Sequence, residues 1–89
     1  MEHERRRIVF WRSASKHRIG RAHARAVMRG ALPDRVDGGT GRDPLLCWVG
    51  PDDRGLVLEV IALDLPEAIV VIHVMPLYRG RRSPRAEAQ

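Results

Sequence analysis

Apolar residues in the second half of the chain fall into three runs, Leu45 to Val49, Leu56 to Leu63 and Ala68 to Leu77. Each is short and rich in Val, Ile and Leu, which predicts strands. Between the first two stands Gly50-Pro51-Asp52-Asp53-Arg54-Gly55, and between the last two Asp64-Leu65-Pro66-Glu67. Both are built from turn formers, so the three strands read as successive hairpins. Upstream, Ile8-Val9-Phe10-Trp11 predicts a short edge strand. Ser13 or Ser15 can cap a short helix over Ala14 to Arg18, because a serine oxygen accepts an orphan backbone N–H. After a break at Gly20, residues 21–32 predict the clearest helix, with strong helix formers and no internal breaker. Ile19, His23, Ala26, Val27 and Gly30 share one stripe of it, and Arg21, Arg25 and Arg29 another. Gly30 and Pro33 mark its end, and Asp34 to Pro44 reads as loop. Helices first and strands later give an α+β fold: two N-terminal helices packed on an antiparallel sheet of three to four strands.

Two polar residues interrupt this pattern. Glu59 is alone among the aliphatics of Leu56 to Ile61, and strand alternation puts it on one face with Val57, Ile61 and Leu63. His73 is alone in Val70 to Met75, and alternation groups it with Val71 and Met75. A carboxylate in such a setting faces water or has a partner, because an unpaired buried charge is costly. If the two strands are neighbours, Glu59 and His73 can pair and fix the imidazole ring. A solvated glutamate and a hydrogen-bonded structural histidine are the plain alternatives.

Composition narrows the class. Eighty-nine residues, 44% of them apolar and only 4% aromatic, allow one small aliphatic core. Residues 1–80 are expected to form a single domain and residues 81–89 a flexible basic tail. No apolar run reaches the roughly 20 residues of a membrane span, and the first residues lack the apolar stretch of a signal peptide. Cys47 is the one cysteine, so a disulfide within the chain and a four-ligand Cys/His zinc site are excluded. The expectation is a cytoplasmic protein without metal, cofactor or membrane. The net charge of +5 is unevenly spread: +7 over residues 1–30, −5 over 31–77 and +3 over 78–89.

Further residues have chemistry of one kind. Lys16 and His17 are adjacent before the main helix, and Tyr78 and Arg79 follow the last strand. Metal-free RNA cleavage needs a base for the 2′-hydroxyl, an acid for the leaving 5′-oxygen and cations for the phosphorane. His, Glu and Tyr can supply the first two, Lys and Arg the third.

The ordered set Lys16-His17-Arg18-Ile19, Gly50-Pro51-Asp52-Asp53-Arg54-Gly55-Leu56-Val57-Leu58-Glu59-Val60 and Val71-Ile72-His73-Val74-Met75-Pro76-Leu77-Tyr78-Arg79 resembles the BrnT-like toxins of the RelE superfamily. Arg18 stands where that family often has Gly, and His73 and Met75 where it tends to place Ser and Arg. The resemblance implies the toxin of a type II toxin–antitoxin system, a metal-independent endoribonuclease that inhibits translation. Its implied partners are RNA and a cognate antitoxin of ribbon-helix-helix type, with operator DNA reached only through the antitoxin. On this reading Glu59, His73 and Tyr78 are catalytic, Lys16, Arg79, Arg21 and Arg25 bind RNA phosphate, and His17 is a reserve candidate. Two other functions fit the same residues: a non-catalytic nucleic-acid- or protein-binding module, suggested by the arginine row, and a degenerate toxin held by an antitoxin.

Overall fold

The structure is a computed structural model and describes residues 6–77. Among these residues five strands form one sheet: β1 (Arg7–Phe10), β2 (Asp34–Val36), β3 (Leu45–Pro51), β4 (Val57–Asp64) and β5 (Ala68–Pro76). Their spatial order is β1-β5-β4-β3-β2. The three long strands pair antiparallel in sequence order, as the turn chemistry predicts, and β1 pairs parallel with β5. The single α-helix among the described residues, α1 (Arg21–Gly30), packs on β3 and β4.

The architecture corrects the expected one: one α-helix on a mixed five-stranded sheet replaces two helices on an antiparallel sheet of three to four strands. The segment expected to be the first helix is only a 3-10 turn, Arg12–Ser15. It cannot lengthen, because Arg18 takes a left-handed backbone with φ 59° and Gly20 is extended. Neither serine caps it. Ser15 Oγ donates to the Arg12 carbonyl at 2.9 Å, and Ser13 Oγ reaches across to the Ile72 carbonyl at 2.7 Å. The fifth strand, β2, lies inside the expected loop. Asp34-Arg35-Val36 has no apolar alternation, and it pairs with the open edge of β3.

One side of the sheet holds the core. Leu46, Trp48, Leu58, Val60, Ala62, Val71 and Val74 are buried there against Ala24 and Val27 of α1. Phe10 and Ile8 of β1 pack on its margin. Arg21 and Arg25 lie on the helix side, with their guanidinium carbons 5.6 and 5.3 Å from the Phe10 ring centre. The opposite face of the sheet has no helix on it among the described residues. Alternation along β4 puts Val57, Glu59, Ile61 and Leu63 on that outer face, and each is exposed or half-buried.

Candidate active site on the outer sheet face

The site begins with an irregularity in β5. Ile61 pairs with His73 but Ala62 pairs with Val71, so Ile72 is an extra residue opposite the β4 step. A bulge of this kind resets the alternation of the strand. Val71 turns into the core, fully buried, whereas His73 and Met75 turn to the outer face with Ile61 and Glu59, their β4 partners. This corrects the grouping of His73 with Val71: simple alternation cannot pass through a bulge.

On that face His73 Nε2 lies 3.2 Å from Glu59 Oε1. With its proton on Nε2, the imidazole donates to the carboxylate, which fixes the ring. Both side chains are half-buried, 31% and 27% exposed, so the pair is shielded but reachable. The ring of His17 stands edge-on to that of His73, with centroids 6.0 Å apart and planes at 79°. The path of the chain sets this contact. β1 ends against Val71, where Trp11 N donates to the Val71 carbonyl; the 3-10 turn follows beside β5, and Ser13 holds the Ile72 carbonyl of the bulge. The turn then delivers His17 to the neighbourhood of His73.

Glu59, His73 and His17 are therefore brought together. Lys16 adjoins His17 and is exposed. Arg21 and Arg25 lie on the helix side of the sheet, where they cover Phe10. Tyr78 and Arg79 lie outside the described residues. One residue on this face was not singled out by the sequence. Trp11 is extended and 60% exposed, and alternation from the core-facing Phe10 puts it on the outer face. Exposure is what distinguishes it from a core aromatic, and a short apolar run does not reveal exposure. The Cys47 thiol, on the same face, is pushed up by burial first and then by the charges of Glu59 and Asp34, which disfavours its thiolate form.

A second polar cluster lies elsewhere. His23 Nδ1 is 2.6 Å from Asp53 Oδ1 and 3.9 Å from Asp52 Oδ2, close enough on distance for the three to offer ligands to a cation. The chemistry of Asp52 is that of a turn. Its Oδ1 accepts the Arg54 and Leu56 backbone N–H groups, and its Oδ2 accepts the Arg54 guanidinium. Burial raises its pKa, but these hydrogen bonds outweigh that and hold the carboxyl below the usual range. Asp53 is lowered mainly by its hydrogen bond to His23.

No protein-family model, curated protein or solved structure matches the chain. No helix among the described residues is long and apolar enough to cross a membrane.

Proposed function

We propose that this chain is an RNA-cleaving toxin whose acid–base chemistry needs no metal and is carried by His73, Glu59 and His17. The observation behind the reading is the meeting of two imidazoles and a carboxylate on one sheet face, with His73 bonded to Glu59 and flanked by His17. Cleavage by transesterification needs two proton transfers at a distance about the width of a phosphate. One imidazole, neutral, takes the 2′-hydroxyl proton as the 2′-oxygen attacks phosphorus. The other, protonated, gives its proton to the departing 5′-oxygen as the P–O bond breaks. Glu59 holds the His73 ring in place through their hydrogen bond. Lys16 offers charge for the phosphorane oxygens, and Trp11 offers a face for a base to stack on. Tyr78 and Arg79 follow β5 in the chain after Leu77 and complete the proposed set as proton donor and phosphate ligand. The resemblance of the Lys16, Gly50 and Val71 segments to BrnT-like toxins supports the same reading and adds a cognate antitoxin as the partner.

The test is cleavage of a single-stranded RNA by the purified chain in excess EDTA. Products with 2′,3′-cyclic phosphate ends are expected. His73→Ala and His17→Ala should each slow cleavage by about 10²–10⁴-fold, the usual contribution of a general acid or base. RNA left intact by the wild type, or cleavage that survives both substitutions together, sinks the proposal. RNA bound tightly yet uncut would instead favour a non-catalytic binding module, the reading that the arginine row of α1 supports.

A further inference from the structure

The sheet is wider than its helix. Ten residues of α1 span about 15 Å, whereas five strands at about 4.8 Å spacing are about 19 Å across. α1 covers β3 and β4, and past its C-terminal end the core-side face opens into a cavity of about 750 Å³. This is within the usual size range of small-ligand sites. Its floor is apolar: Ile8, Ile69, Leu46, Trp48 and Met28. Its rim is cationic, with Arg6, Arg25, Arg29 and Arg35, against one carboxylate, Asp64.

That carboxylate is already engaged. Arg6 and Arg35 share that one negative charge, since Asp64 accepts from the Arg6 guanidinium and from Arg35 Nε; Arg25 and Arg29 are the rim cations that do not pair with it. Arg25 lies over the Phe10 ring, and a stacked guanidinium keeps its in-plane N–H donors for an anion. The Arg29 guanidinium, one helical turn on, makes no hydrogen bond or ion pair with the described residues. Leu32, 93% exposed, completes the rim as an apolar lip.

We propose that this cavity binds a small amphipathic anion, with an apolar body on the floor around Trp48 and a carboxylate or phosphate head held by Arg25 and Arg29. It lies on the opposite side of the sheet from His73 and does not depend on the RNA-cleaving reading. A neutral apolar ligand would leave the two guanidiniums unused, and a purely polar anion would leave the floor wet.

Trp48 and Trp11 are the chain's two tryptophans, so Trp48 reports alone in a Trp11→Phe background. Dodecanoate, titrated below its micelle-forming concentration, should shift Trp48 emission saturably at one molecule per chain, and dodecyl phosphate should do the same. Dodecanol and dodecyltrimethylammonium should bind at least tenfold more weakly. The double substitution Arg25→Gln, Arg29→Gln should weaken dodecanoate at least tenfold. Leu32→Glu, at an exposed position that folding does not depend on, should weaken it too, and His73→Ala should not. Equal binding of the neutral or cationic chain, no saturable shift, or binding only to phosphatidylglycerol vesicles and not to free dodecanoate overturns the proposal. So does binding confined to a short acidic peptide.

Discussion

Arg18 has φ 59°, a left-handed backbone that costs a side-chain-bearing residue about 1–2 kcal/mol and glycine almost nothing. Its N–H bonds the Ser15 carbonyl at 2.9 Å, so the conformation turns the chain out of the 3-10 turn just after His17. Arg18→Gly should stabilise the fold by up to about 1 kcal/mol, the relieved strain less the extra unfolded-state freedom of glycine; urea unfolding measures it. A second residue-scale expectation concerns Cys47, whose thiol is raised by burial first and by Glu59 next. Glu59→Gln should speed alkylation by iodoacetamide at pH 8, because the thiolate loses a repelling neighbour; an unchanged rate would mean that the charge of Glu59 does not reach the sulfur. Glu59 and His73 were legible as a pair because each is one polar residue in an aliphatic strand and the strands are joined by a short turn. His17 was legible only as a type of residue. Its place beside His73 depends on a left-handed arginine and on a serine that crosses to another strand, neither of which leaves a pattern in the sequence.

Elements differ in the same way. The β3–β4 hairpin was readable because its determinants are local. Asp52 N donates to the Leu56 carbonyl at 2.8 Å, leaving Asp53, Arg54 and Gly55 as a three-residue loop. Gly55 has φ +88°, as the last position of such a loop requires. Gly55→Ala should cost about 1–2 kcal/mol. Asp52→Ala, which removes the acceptor of two backbone N–H groups and the Arg54 guanidinium, should cost about 1–3 kcal/mol. Thermal unfolding of the two variants checks both figures. The bulge in β5 was not readable. Val71, Ile72 and His73 look like uninterrupted strand, and the two carbonyls at the irregularity are claimed by Trp11 N and Ser13 Oγ, groups about sixty residues away in sequence. β2 was missed for a related reason. Its three residues are all exposed, so no hydrophobic period marks them, and the ladder with β3 forms them. Removing the Ser13 hydroxyl tests the long-range part: Ser13→Ala should lower stability by about 0.5–1.5 kcal/mol and, if the bulge positions His73, should slow RNA cleavage more than that loss of stability explains.

At the scale of the whole molecule, one carboxylate joins the two edges of the sheet. Asp64 ends the central strand β4. It receives Arg6, just before the edge strand β1, and Arg35, on the opposite edge strand β2. Arg6 also donates to the Leu65 carbonyl at 2.8 Å, so the N-terminal edge is tied to the β4–β5 turn twice. β1 and β2 are the shortest strands of the sheet, and among the described residues each has a ladder partner on one side only. A cross-sheet clamp therefore matters more to them than to the three long strands. The hydrogen bonds from Arg6, then Arg35, hold the Asp64 carboxyl below the usual carboxylate range. An unfolded aspartate titrates near pH 3.9, so folding favours the charged form. The clamp's contribution is complete above about pH 4, and it is lost as pH falls through the lowered native value. Asp64→Asn should cost about 1–2 kcal/mol at pH 7, the lower part of the range for hydrogen bonds to charged groups, because Arg35 is 63% exposed and water screens it. In urea melts the gap between wild type and variant should narrow as pH is lowered from 5 toward 2. A gap that stays constant would place the cost in packing and not in the charge. Hydrogen exchange gives the spatial half of the test: in the variant, amides of β1 and β2 should exchange faster at pH 7 while those of β4 stay protected.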